Sequence, residues 1–204
     1  MATSCALAKS ATSASRTVPA WYVAKAATLA TAHAIPGPIA LQLEYSLVDR
    51  SIEREHVPAA HELGLGITPW SPLAAGFLAG KYQRAGAGAT GQGRLSGLNP
   101  FGDMLFTDHN WRVLDTVATQ ADLPLAQVAL AWALAQPGMT SLILGASTLE
   151  QLHNNLRSLE VSLTPEQLRT LDEGSALVPA YPYFIFNAEV NRGIFGGATV
   201  QGWR

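Results

Sequence analysis

At 204 residues, 48% hydrophobic and 14% charged, the chain has the composition of a globular protein and is long enough to bury a full core. A formal net charge of -2 leaves no basic footprint for nucleic acid, and no apolar run reaches the roughly 20 residues that a membrane helix needs. A single cysteine, Cys5, excludes an intramolecular disulfide framework and fits a reducing compartment, so the expectation is a cytoplasmic protein with a small-molecule partner.

The opening stretch MATSCALAKSATSASR is rich in Ala and Ser, carries Lys9 and Arg16, and lies well ahead of the first acidic residue, Glu44. That composition is shared by organelle transit peptides, although the apolar segment of a secretory signal is missing; a disordered or replaced start over residues 1–16 is the plainer expectation. Residues 19–33, PAWYVAKAATLATAH, read as a helix with Pro19 at its first position and Trp21, Val23, Ala27 and Leu29 turned to a core. IPGP stops it. IALQLEYSL, residues 39–47, alternates with period two and reads as a strand. Leu41, Leu43, Tyr45 and Leu47 share one face, and Gln42, Glu44 and Ser46 share the other. Ser51 is then placed to cap a helix over 53–63, with Glu53 and Glu55 near its N-terminal end and Gly64 and Gly66 closing it.

The stretch ITPWSPLAAGFLAGKY, residues 67–82, is an apolar strand that breaks between Pro69 and Pro72 into a small-residue loop carrying Lys81. Parallel α/β proteins place ligands at such strand ends, because backbone amides and short side chains let an anion approach. Residues 83–103 are too rich in glycine for regular structure and read as a lid or an excursion. Their G-x-G-x-x-G at Gly86, Gly88 and Gly91 lacks the strand-turn-helix setting that a dinucleotide fingerprint requires. Helices are expected over 107–120 and 124–136, the second apolar enough to be buried. SLILGASTLEQLHNNL, residues 141–156, reads as a short strand running through Gly145 into a helix capped by Thr148. TPEQLRTLDEGS supplies a last amphipathic helix with a capping pattern from Thr164 to Gln167. His56, His61 and His153 lack metal-ligand spacing and are expected to be solvated, and Ser71 is in no nucleophile elbow. No metal site, nucleophile or carboxylate pair emerges, and the order strand, helix, strand, helix points to parallel α/β.

LQLEYSLVDRSIEREHVPAAHELGLGITPWSPLAAGFLAGKY, ALAWALAQPG, SLILGASTLEQLHNNL and LTPEQLRTLDE resemble the C-terminal half of the aldo/keto reductases, in the subgroup near the potassium-channel beta subunits. The resemblance implies an α/β fold, a partial (β/α)8 TIM barrel over residues 17–204 with a Gly-rich loop at 83–103. A whole barrel of that type needs about 250 residues. That family transfers hydride from NADPH to an aldehyde or ketone. Carried onto this chain, Gln42 holds the nicotinamide carboxamide, Trp70 stacks on the nicotinamide ring, and Ser71, Pro72, Leu73 and Ala74 line the pyrophosphate path. Lys81 and Arg94 bring positive charge to the phosphates. Gly145, Ser147, Gln151, Asn154 and Asn155 receive the adenosine end. From the residues alone, Ser147 and Thr148 as plain caps, Trp70 as a core aromatic and Lys81 as a surface charge stay open.

The family's catalytic Asp, Tyr, Lys and His come from its first four strands and find no counterpart before Gln42, while Ser15-Arg16 is placed to be the pair that ends the fifth. The resemblance therefore implies a fragment or truncated form of an NADPH-dependent reductase, with weak or vestigial NADP(H) binding and no catalytic residue of its own. The alternative is a noncatalytic nucleotide-binding or protein-interaction module. Half a barrel also exposes two strand edges, which implies self-association or a complex with a separately encoded N-terminal half.

Overall fold

The computed structural model describes residues 13–85, 88–91, 93–95, 102–120, 122–186 and 188–197. Its sheet is built from β1 (Ser13–Arg16), β2 (Pro38–Gln42) and β3 (Gly66–Ile67), parallel and adjacent in that order. The sequence places the ordered start at Thr17, yet Ser13–Arg16 form a strand, with Ser15 beside Leu41 and Arg16 beside Gln42. Parallel neighbours share a face, so Arg16 and Gln42 stand on one side of the sheet and Ser15, Leu41 and Ile67 on the other, which is buried.

The period-two reading of residues 39–47 holds in its apolar half: Leu41, Leu43, Tyr45 and Leu47 are all buried. Regular pairing nevertheless stops at Gln42. Beyond it the Trp70 N–H donates to the Leu43 carbonyl at 2.8 Å, the Tyr45 N–H donates to the Trp70 carbonyl at 3.3 Å, and Glu44 bridges Trp70. Ser46, expected on the polar face, is buried because the chain turns there, its N–H and carbonyl both bonded to Asp49. The strand expected at 141–145 is extended without being a regular strand. It lies along β3 through an Ile67–Met139 bridge and single bonds from Thr140 N–H to the Ile67 carbonyl and from Ile143 N–H to the Pro69 carbonyl, each 2.8 Å. Pro69 has no N–H to return, so the ladder is interrupted at that residue.

The crossover helices are α1 (Ala20–Ala32) and α2 (His56–Glu62). Pro19 is the residue before α1 rather than its first member, and the buried face is Ala20, Val23 and Ala30. Trp21 and Leu29, expected inside, are 65% and 46% exposed. Small residues let α1 sit close on β2 and α2, which turns its large side chains outward. Ser51 does not cap a long helix. It opens a 3-10 turn over Ser51–Arg54, and its own N–H and hydroxyl donate to Asp49 Oδ1 at 3.0 and 2.7 Å.

After β3 the chain passes through 3-10 turns at Ala74–Ala79 into an antiparallel hairpin of β4 (Tyr82–Ala85) and β5 (Gly88–Gly91). The hairpin lies where glycine content argued against regular structure. Backbone pairing needs no side chains, and at Gly91 a Cβ would collide with the Lys81 carbonyl, so glycine is what lets the strands close. Of the G-x-G-x-x-G glycines, Gly88 and Gly91 lie within β5 and Gly86 lies outside the described residues.

There follow α3 (Gly102–Leu105), α4 (Asp108–Thr119), α5 (Leu125–Ala135), α6 (Leu149–Leu156), α7 (Pro165–Gly174) and α8 (Ala188–Ile194). Thr107, Thr148 and Thr164 cap α4, α6 and α7, and Thr164 with Gln167 completes a reciprocal capping box. α5 is buried from Ala126 to Ala133 as its composition predicts. Its Trp132 packs with Tyr45, Ile67, Phe77, Val113 and Val117 in one core between the sheet and the helices.

Candidate functional site

The carboxyl ends of the parallel segments converge on one rim. Gln42, half-buried, closes β2 next to Arg16; Trp70 is bonded between Leu43 and Tyr45; and Ile143, paired to Pro69, leads two residues on to Gly145. In open parallel sheets this is the end at which ligands bind.

The loop after β3 holds backbone strain. Ser71, Ala74 and Ala75 have φ of 58°, 47° and 55°, and Gly76 follows at 94°. Left-handed geometry costs a non-glycine residue about 1–2 kcal/mol, and three of the five such residues among those described lie in this one loop. Pro72 and Ala74 are buried under it. The Trp70 indole N–H is buried and has no acceptor among the described residues. Lys81 folds back over the loop: its N–H donates to the Gly76 carbonyl at 3.3 Å, and a Cβ on Gly76 would meet the lysine Cδ at 2.8 Å. Gly76 therefore serves both its φ and the passage of the lysine stem.

Tyr82 organises this loop, and no motif in the sequence announced it. Its buried hydroxyl donates to the Ala75 carbonyl at 3.2 Å and accepts from the Leu95 N–H at 2.9 Å, tying the strained loop to the turn that carries Arg94. An aromatic with a polar tip following a Gly-Lys pair was the available signal.

On the next segment, Ser147 presents its N–H and its hydroxyl to a single acceptor, Gln151 Oε1, at 3.0 Å each, while Thr148 Oγ1 accepts from the Gln151 N–H at 3.2 Å. Two donors at the start of α6 thus already converge on one oxygen, as they would on an anion. Space around Gly145 is open. Asn154 faces differently: its Oδ1 accepts from Gln127 Nε2 of α5 at 2.6 Å, and Asn155 is buried. These two asparagines join α6 to the body of the protein. His56 is half-buried, with Nε2 2.8 Å from the Val18 carbonyl, whereas His61 and His153 are exposed. Among the described residues no cluster of three His, Cys, Asp or Glu is arranged to hold a metal.

Charge is distributed unevenly around the rim. Glu44 bridges Trp70, and burial, reinforced by the negative charge of Asp49, holds its carboxyl above the ordinary range. Behind it Arg50 donates from Nε and Nη2 to the two oxygens of Glu53 at 2.7 and 3.0 Å. Its Nη1 reaches the Asp172 carbonyl at 3.0 Å and Ser175 Oγ at 2.8 Å. Tyr45 donates to Glu53 at 2.6 Å; burial, and then that bond, push its phenol far above the ordinary value. Trp132 donates to Asp172 at 2.9 Å, stacks on Tyr45 at 5.4 Å and lies 5.2 Å beneath the Arg50 guanidinium. This cluster locks α7 onto the turn that follows β2.

Residues 13–176 match the model of the aldo/keto reductase family, and the chain belongs to that family. The match starts at β1. Members of the family fold as (β/α)8 barrels and generally bind NADP(H). Over 155 residues the chain is 36% identical to the uncharacterized oxidoreductase YrpG of Bacillus subtilis (strain 168), covering 75% of this chain and 45% of that protein. Over 176 residues it is 35% identical to a probable voltage-gated potassium channel subunit beta of Oryza sativa subsp. japonica, covering 83% of this chain and 51% of the other. A corresponding beta subunit of Arabidopsis thaliana is 32% identical over 152 residues, with 72% and 46% covered. The chain spans about half the length of the curated relatives it matches. Among the described residues no helix is long and apolar enough to cross a membrane.

Proposed function

We propose that the chain supplies the nicotinamide-nucleotide surface of an NADP(H)-dependent carbonyl oxidoreductase. The observation that carries this reading is the strained loop Ser71–Gly76 together with the partnerless indole N–H of Trp70, both at the strand ends. Backbone strain and buried unpaired donors persist in folds chiefly where function maintains them.

The residues present suit the ligand. The Gln42 amide can both donate to and accept from a carboxamide, and Trp70 offers an aromatic face. Ser71 to Ala74 present backbone close to a pyrophosphate, and Lys81 and Arg94 supply positive charge. Ser147 donates twice where the adenosine end would lie, once Gln151 is displaced. Asn154 and Asn155 hold the helix that begins just after Ser147. Bound NADPH would supply a hydride to a carbonyl carbon; this chain's residues bind and orient the nucleotide. No residue of the chain is assigned as the general acid, whose contribution is typically about 10²- to 10⁴-fold. The purified chain alone is therefore expected to bind without measurable aldehyde reduction.

Calorimetric titration tests the reading. NADPH should bind more weakly than micromolar and only slightly better than NADH, and Lys81→Ala should weaken NADPH binding about tenfold, the loss of one charge-assisted contact. Submicromolar binding unaffected by Lys81→Ala would contradict the assignment, and aldehyde turnover at ordinary enzyme rates would show that a general acid is present after all.

A further inference from the structure

We infer that two copies of this chain associate about a two-fold axis, the β1 side of each against the 139–143 side of the other, to close an eight-stranded parallel barrel. The sheet order is β1, β2, β3, with 139–143 running parallel beyond β3, so the two outer segments point the same way. Four parallel segments among the described residues of each copy make eight in a pair, the number at which a (β/α)8 barrel closes.

Apolar side chains are exposed along both of those outer sides, besides others that include Val178, Tyr181 and Phe184 in the C-terminal segment. On α1, after β1, Trp21, Tyr22 and Leu29 are exposed, and helical spacing sets them within about 100° of one another. On the far side Ile143 is exposed, and so are Leu149, Leu152 and Leu156, spaced i, i+3, i+7 as one stripe of α6, with Leu159 just beyond. By contrast, α5 is buried almost throughout. Helices that follow adjacent strands of a parallel barrel lie side by side, so joining β1 to 139–143 brings the α1 stripe toward the α6 stripe. Charge agrees with that match. Residues 13–43 carry Arg16 and Lys25 and no acid, whereas residues 149–160 carry Glu150 and Glu160 against Arg157.

A two-fold partner satisfies both sides at once: the β1 contact of one copy is the 139–143 contact of the other, and no strand edge is left over. Any stacking that does not close leaves an edge and keeps growing. This inference concerns assembly and is independent of nucleotide binding, because its readout is mass.

Sedimentation velocity on the full chain over a concentration series should show a species of twice the chain mass. Two paired variants should each dissociate it, weakening association about 10⁴-fold: Trp21→Lys with Leu29→Lys, and Leu152→Glu with Leu156→Glu. The size follows from roughly a factor of ten for each buried apolar side chain lost, and each substitution falls in both contacts of the two-fold dimer, so four are lost. Mixed one to one, the two variants should dimerise again, since one contact is then wild type on both sides and the other sets lysines against glutamates. A parent chain that stays monomeric at every concentration, or grows past the dimer, overturns the inference. So does a mixture that fails to dimerise while both variants keep the parent's circular dichroism.

Discussion

The turns that follow β2 and β3 emerge from neighbouring strands and are held by opposite means. After β2, Arg50 has Glu53, Ser175, the Asp172 carbonyl and the Trp132 ring around it. After β3, three non-glycine residues sit at positive φ and an indole N–H is buried without an acceptor. Both positions are rim positions, so location alone does not account for the contrast. On the function proposed above, the first turn only has to stay in place and fills its hydrogen-bonding capacity from within, whereas the second would keep some of that capacity in reserve for a ligand.

The comparison breaks most sharply at Arg50. Its side chain is 12% exposed, and Arg50→Ala would leave the half-buried Glu53 beside Tyr45 without its counter-charge. A loss of about 3 kcal/mol in urea unfolding is expected, the low end for buried pairs deprived of one partner because Glu53 keeps contact with water. In the strained loop the effects are smaller and reach binding. Tyr82→Phe removes the donor to Ala75 and the acceptor for Leu95, and should cost about 1–3 kcal/mol while also weakening NADPH binding in the same titration. Ala75→Gly should do the reverse to stability. Relief of about 1–2 kcal/mol of left-handed strain, offset by about 0.5–1 kcal/mol of chain entropy, leaves a gain of roughly 0.5–1 kcal/mol. Ala131→Gly inside α5, where the backbone is helical, should instead lose about 1 kcal/mol, which separates a strain effect from a general tolerance of glycine.

The smallest expected effect belongs to Glu44. Its carboxyl is held above the ordinary range, so the folded state binds its proton more tightly than the unfolded chain does. That contribution is complete below the ordinary carboxylate value and is lost as the pH rises through the raised one. Relative to Glu44→Gln, the parent should therefore lose stability across that interval and run parallel on either side. A parent that instead gained stability over Glu44→Gln as the pH rises would reverse the assignment.

Features set by neighbours in sequence were the legible ones. The apolar alternation from Leu41 to Leu47, the threonine caps at 148 and 164 and the burial of α5 follow from local spacing. Features set by distant contacts were not. The outward Trp21 depends on how closely α1 sits against β2, and the partners of Arg50 at Asp172 and Ser175 are more than a hundred residues away. Of the candidate site, Gln42, Trp70, Lys81 and Gly145 could be placed at strand ends from the resemblance. The strain at Ala74 and Ala75 could not, because alanine gives no sign of a left-handed backbone as glycine or asparagine would. The tie from Asn154 to Gln127 was hidden in the same way, the amide reading equally well as a surface polar group.

Trp132 and Trp21 also give the chain a pair of built-in optical probes. Trp132 is sealed between Tyr45 and the Arg50 guanidinium, so its emission should be blue-shifted and out of reach of iodide until the core opens. Trp21, with most of its ring in solvent and Tyr22 edge-on at 5.8 Å, should emit to the red and be quenched readily. With the chain's other three tryptophans replaced by phenylalanine, one spectrum would then follow two events: the Trp132 component reports loss of the fold, and a Trp21 component that shifts blue with rising concentration reports the covering of α1.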